Sequence, residues 1–448
     1  MMRAIATFVS TATILSLATG AWAQDSQAPA EGRIMVGTYG PEVDEVLLSR
    51  PPAPAAIPDQ LDYAAALASE THPQVNAAEA EVDALEAEVD AARWLRYPSL
   101  SVEALAATEG SSFADEDGLA INAIVEQPLW AGGRVSGEIE RARASLRAGN
   151  DRIEEAQRNI VLQVTDAYYQ YVSSAERYDV LENSLEEHNE LLAAIGRRVD
   201  QQVSPAADFT LGRSRTAQVE LDLVRTGETR DSALVRLREL TGGTDIEPVL
   251  PPPGVASTLP PEEVALAEAL ACSPSLHALT NLIDVAEARS DIARSQLWPQ
   301  VLLQLSQNEI TGARAAVVLR AQLGNGLSQL SAIEASDARI ARALAEFADT
   351  ERTLREQLRR DYVLARASEA RIEAGVLAVD AAADIIASYQ RQFIAGRRSW
   401  LDVMNAVRES ASARLSESDA RVGAAAATAR ILALACRWQP DGAERFSE

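Results

Sequence analysis

The 448 residues carry 41 basic and 66 acidic side chains, a net charge of -25, and that balance argues against nucleic-acid binding, which asks for a basic face. The length leaves room for several domains, yet beyond the N-terminal leader no stretch has the ~18 uninterrupted apolar residues of a membrane helix. Entry into lipid would therefore require strands closed into a barrel, because the backbone finds no water there to satisfy it.

The chain opens with a secretory pattern. Arg3 is a positive start, residues 4–18 are mostly apolar, and Ala21-Trp22-Ala23 is a cleavage signature. Residues 1–23 read as a signal peptide, with the mature chain beginning at Gln24. A spanning anchor fits less well, since it needs ~20 apolar residues. Residues 24–60, a tail ending in a Pro/Ala-rich linker, are assigned no element.

From here the sequence is written twice. Sliding it by 201 residues pairs Pro73 with Pro274, Pro98 with Pro299, Ala87 with Ala288 and Asp90 with Asp291. Further on, an offset of 194 pairs Gly132 with Gly326, Tyr168 with Tyr362, Arg177 with Arg371, and Asp208 with Asp402. The two units are 61–246 and 262–438. Between them, 247–261 is a proline-rich linker, and 439–448 is a tail.

Each unit contains two runs of alternating apolar and polar residues, about 99–107 and 118–129 in the first and about 300–308 and 313–323 in the second. Each has about the ~9–11 residues of a tilted membrane strand. Such weak alternation suits a half-buried soluble sheet equally well. The aromatic residues favour the membrane: Trp94, Tyr97, Trp130 and Trp298 fall at the helix-side ends of the runs, where an interfacial belt would put them. Four strands cannot close a barrel when the smallest membrane barrels use ~8, so several copies must share one.

After the strands come helices too long for a globule. No proline interrupts 133–203, where small or apolar residues recur from Ile139 to Val199 at a spacing between the coiled-coil and straight-helix repeats. A helix of that length runs roughly 105 Å. The second unit repeats it over 325–396. Shorter helices follow at 208–240 and 399–438, with Pro205 and Gly396 at the breaks. A plain coiled-coil rod leaves the signal peptide and the strand pairs unexplained.

His72, His188 and His277 have no metal-ligand spacing, and neither a phosphate loop nor a nucleophile motif is present, so the chain reads as a non-enzyme with no cofactor and no metal. Cys272 and Cys436 are the only cysteines; a disulfide and two separate thiols both remain open.

Strand pairs leading into very long helices with shorter returning ones, duplicated in an exported chain, resemble the TolC family of outer-membrane channel proteins. The most specific stretch is Gln392-Phe393-Ile394-Ala395-Gly396-Arg397-Arg398-Ser399-Trp400-Leu401-Asp402-Val403-Met404-Asn405, followed by Gln127-Pro128-Leu129-Trp130 with Gly132-Gly133. The resemblance implies a mainly α chain with a membrane β part: a homotrimer with a twelve-stranded β-barrel on an α-helical barrel, its helical part in the periplasm. It further implies a passive exit duct for efflux or type I secretion, working with a periplasmic adaptor and an inner-membrane transporter. Carried over by position, Asp402 and Asn405 would line the pore constriction, Gly396 would make the turn, and Arg398, Asp208 and Phe393 would form the gate latch. Asn405 stands where a second acid is common, Phe393 where a tyrosine is common, and Gln202 where the first unit's turn glycine is expected. A periplasmic coiled-coil adaptor without a pore is the competing reading.

Overall fold

The computed structural model describes residues 53–107, 118–308, 312–321 and 328–440. The expected signal peptide, most of the N-terminal tail, the tips of both strand pairs and the last eight residues lie outside them.

Among the described residues the elements come in two matching series. The first is α1 (Asp59–Thr71), α2 (Pro73–Trp94), β1 (Ser99–Ala107), β2 (Gly118–Trp130), α3 (Arg134–Asp200) and α4 (Ala206–Leu240). The second is α5 (Glu262–Ala271), α6 (Pro274–Ser295), β3 (Gln300–Asn308), β4 (Gly312–Arg320), α7 (Ser328–Ile394) and α8 (Trp400–Leu434). Helices α3 and α7 both have 67 residues, and α4 and α8 both have 35. The longer pair each rise roughly 100 Å at 1.5 Å per residue. Proline occupies the first helical position of both α2 and α6, where its missing N–H costs nothing.

The small and apolar stripe read from Ile139 to Val199 lies wholly on buried or half-buried positions of α3. That burial has partners on several sides: α3 packs against α1, α2, α4, α6 and α8. Helix α7 packs against α6 and α8. The helices thus form an open array, with α2 and α4 on one margin and α7 on the other.

The largest core sits around the middle of α3. There Ile160, Val164, Ala167 and Tyr168 meet Leu61 and Ala65 of α1, Leu237 of α4, and Ala425 and Ala429 of α8. Charge also ties the long helices together here: Arg430 of α8 reaches Asp361 of α7 at 2.7 Å and Asp166 of α3 at 3.4 Å. The linker is held by the duplicated tyrosines. The Tyr168 hydroxyl donates to the Val249 carbonyl at 2.9 Å and accepts from its N–H at 2.7 Å. Tyr362 donates to the Pro260 carbonyl at 2.8 Å. Cys272 and Cys436 are joined, with Cα atoms 6.5 Å apart, so the end of α8 is fastened to the α5–α6 junction.

The four strands form one antiparallel sheet in the order β1-β2-β3-β4, leaving β1 and β4 as free edges. The expected fourth strand runs to 323 and the expected last helix to 438; β4 ends at Arg320, with 322 and 323 outside the described residues, and α8 ends at Leu434. At the end of α8, Cys436 takes a left-handed conformation, φ 55°, and turns the chain away.

Candidate functional site: the sheet wall and the helical tip

The register sorts the sheet into two unlike faces. Leu100 stands opposite Val125, Val125 opposite Leu305, and Leu305 opposite Ala315; residues directly opposite share a face. The same face carries Val102, Ile121, Leu303, Val317 and Leu319. Leu100, Val317 and Leu319 are each more than 65% exposed. The other face carries Ser101, Glu103, Asn122, Glu126, Gln304, Ser306, Arg314 and Arg320, with Ile124, Pro128, Leu302, Ala316 and Val318 as apolar exceptions, while Gln127 and Gln307 are polar exceptions on the first face. On it, Arg320 pairs with Glu126 at 2.9 Å, and Gln304 donates to the same carboxylate at 3.2 Å. Glu126 and Arg320 are equivalent in the two repeats, so duplication followed by divergence has made a charge pair between copies of one position. A sheet with one bare apolar face and one hydrogen-bonded polar face suits a wall between hydrocarbon and a wet lumen.

At the foot of this wall stand the four belt aromatics, all exposed: Trp94 at 68%, Tyr97 at 58%, Trp130 at 47% and Trp298 at 61%. Trp94 lies against Tyr97 with centroids 5.0 Å apart, and Trp130 meets Trp298 edge-on at 6.4 Å. Rings with an apolar body and a polar N–H or O–H belong at a membrane–water boundary. Gly132 makes the crossing from β2 to α3 possible. Its φ is +60°, and a Cβ there would lie 2.8 Å from the Trp298 Cβ.

At the opposite end of the helices are two turns. In the second repeat, Gly396 (φ 72°) ends α7, and Ser399 caps α8 by accepting from the Asp402 N–H at 3.2 Å while donating to its carboxylate at 3.0 Å. Arg398 lies 3.9 Å above the Tyr389 ring and 3.6 Å from the Asp402 carboxylate. Arg398, Asp402 and Asn405, with Tyr389 and Glu409, line a cleft of about 360 Å³ over an alanine floor. The structure therefore brings together three of the residues singled out from the sequence and adds Tyr389 and Glu409. Asp208, half-exposed on α4, has no ion-pair partner among the described residues, and within one protomer it is not joined to Arg398.

Phe393 is buried in the tip core with Leu191, Ile195, Trp400, Val403 and Met404. Arg198, which the sequence reading passed over, lies 4.9 Å from the centre of its ring and donates to its carbonyl at 3.4 Å. An arginine near a helix C-terminus is ordinary, so only the packing of α3 on the second repeat singles this one out.

The family model described as outer membrane efflux protein matches residues 64–243 and 265–436, one match on each repeat. The chain belongs to that family. It is an outer-membrane exit duct with its helical part in the periplasm, and the reading as a pore-free adaptor is set aside. Family members are channel proteins. Among curated proteins, this channel is similar to the alkaline protease secretion protein AprF of Pseudomonas aeruginosa, at 21% identity over 338 residues, covering 71% of this chain and 69% of that one. Among solved structures, the outer-membrane channel OprN matches with a TM-score of 0.74 at 17% identity, over 85% of this chain and 91% of that one. The CmeC outer-membrane channel of Campylobacter jejuni matches with a TM-score of 0.73 at 12% identity, over 87% of each. At these identities the structural likeness speaks for the fold.

Proposed function

We propose that three copies of this chain close into a twelve-stranded barrel standing on a helical tube, through which substrates pass without expenditure of energy by the duct itself. The observation that carries the reading is the open sheet: two unpaired edges, β1 and β4, bound a wall that is apolar on one side and polar on the other. Open edges cannot remain in lipid, so β4 of one copy pairs with β1 of the next. The helices offer matching margins. Leu221, Val224 and Val235 lie exposed on α4, and Val363, Val376 and Leu377 on α7. Unlike edges meeting head to tail generate a ring when the rotation closes; the resemblance sets that ring at three. Size-exclusion chromatography with light scattering in detergent tests it. The protein mass of the complex should be three times that of the mature chain beginning at Gln24, and a lone subunit would sink the proposal.

In that ring the Asp402 residues come together at the tip as one acidic girdle beside Asn405, favouring cations. Arg398 and Asp208 latch neighbouring helix pairs, with Asp402 competing for the same guanidinium. Arg398→Ala and Asp208→Ala should each raise single-channel conductance in planar bilayers; unchanged conductance in both removes the latch. A periplasmic adaptor and an inner-membrane transporter deliver the cargo, so the passage is that of efflux or of type I secretion.

A further inference from the structure

The belt is not the same in the two repeats. At the foot of β2 a cleft of about 260 Å³ opens between Leu95 and Arg96 on one side and Pro128, Leu129 and Trp130 on the other, with Val135 and Ser136 of α3 below. Arg96 is exposed and, among the described residues, has no carboxylate within ion-pair distance, although the chain carries 66 acids. Its turn is fixed by Gln127. That side chain stands on the apolar face, opposite Leu303, and donates to the Arg96 carbonyl at 2.8 Å. A glutamine in a lipid-facing row is costly unless it is satisfied, and here its amide anchors the backbone of the Arg96 turn. Trp94 and Tyr97 flank the cleft on the chain, and the exposed apolar residues of β1 and β2 rise above it.

From this geometry we infer a binding site for a glycerophospholipid of the membrane, its phosphate on Arg96 and its acyl chains along the apolar face of β1 and β2. The occupant must combine an anion with hydrocarbon. The unpaired guanidinium supplies the complement to the anion, and the cleft reaches the apolar face at Trp130, which stands opposite Val301. The second repeat serves as an internal comparison. The positions equivalent to Arg96, Gln127 and Trp130 hold Leu297, Ala321 and Gly324, so the site occurs once per protomer.

The test uses the purified full-length protein in detergent, with tryptophan fluorescence quenched by lipids brominated on their acyl chains. Brominated phosphatidylglycerol should half-saturate quenching at about a tenfold lower mole fraction than brominated diacylglycerol of the same chains, the scale of one charge-assisted hydrogen bond. Arg96→Gln should erase that difference. Trp298→Phe, at a belt residue outside the cleft lining, should keep it while lowering the amplitude, which separates a lost phosphate contact from a damaged fold, and circular dichroism should show unchanged helix in both. Equal half-saturation by the two lipids in the natural protein, or an undiminished difference in Arg96→Gln, would overturn the site and leave a nonspecific belt.

Discussion

The two repeats end their four long helices in one way with different residues. After α3, Gln202 bonds back to Val199 and Val203 to Arg198; after α7, Gly396 bonds back to Phe393 and Arg397 to Gln392. After α4, Gly242 and Gly243 reach Glu239 and Arg238; after α8, Cys436 and Arg437 reach Ala433 and Leu432. Each is the paired helix-end motif that demands a left-handed residue, and φ is 60°, 72°, 64° and 55° at Gln202, Gly396, Gly242 and Cys436. Each repeat therefore uses glycine at one of its two ends and a side chain at the other. The backbone of the ancestral unit has persisted where its chemistry has not, and a residue with a Cβ survives there when another bond, as at Cys436, compensates it.

The largest effect should come from removing that bond. A disulfide closing 164 residues contributes on the order of 5 kcal/mol on the loop-entropy account. Cys272→Ser, or reductant added to the natural protein, should lower the thermal midpoint accordingly. Cys436→Gly in the Cys272→Ser background should then recover about 1 kcal/mol by relieving the left-handed cysteine. No recovery would mean that the strain argument fails at this end.

Next come the linker tyrosines, equivalent in sequence and unequal in work. Burial pushes the Tyr168 hydroxyl up to about 12, so it stays protonated and serves as donor and acceptor to Val249 at once. Tyr168→Phe leaves both backbone groups without that partner and should cost about 1–3 kcal/mol. Tyr362→Phe loses one bond, to Pro260, and should cost about 1 kcal/mol. Chemical denaturation of both variants decides it; equal losses would contradict the comparison.

These differences show what the sequence could disclose. The pairing of positions 201 and 194 apart, the long stripe of α3 and the alternation of Leu100 with Ser101 are periodic, and periodicity survives reading in one dimension. Glu126 with Arg320 was legible in part, since the offset aligns them, but only the sheet register shows that they touch. Arg198 on Phe393, Tyr389 under Arg398, and Gln127 on the Arg96 turn depend on how separate segments cross, which no local pattern encodes. The cysteine partnership was open for the same reason. The end of α8 was misplaced because a left-handed cysteine sends no signal where a glycine would have.

The tip turns give a smaller prediction. Gln202→Gly should stabilise the first turn by about 1 kcal/mol, and Gly396→Gln should destabilise the second by as much. Hydrogen exchange at the tip amides would register both as opposite changes in local opening. Two changes of the same sign would show that the turns differ in backbone demand as well as in residue.

The smallest effect concerns His188, whose equivalent in the second repeat is Ala382. His188 is 2% exposed, its Nδ1 lies 2.6 Å from the Ser184 carbonyl, and burial foremost, with Arg215 adding to it, holds its pKa below the ordinary value. The folded protein thus keeps the ring neutral, whereas the unfolded chain takes up a proton below its usual pKa of about 6.5. Proton uptake by the unfolded state means that stability from this group is complete above that pH and is lost as the pH falls below it. The neighbouring Glu187 has a pKa raised by burial, so its protonation works in the opposite sense, and the total slope mixes the two. Replacing His188 with alanine, the second repeat's own choice, isolates the imidazole. The difference in thermal midpoint between natural protein and variant, followed from about pH 7.5 down to about pH 5, should shrink as the acid penalty on the histidine grows. A constant difference would show that the ring is protonated alike in both states, and that its burial does not govern its charge.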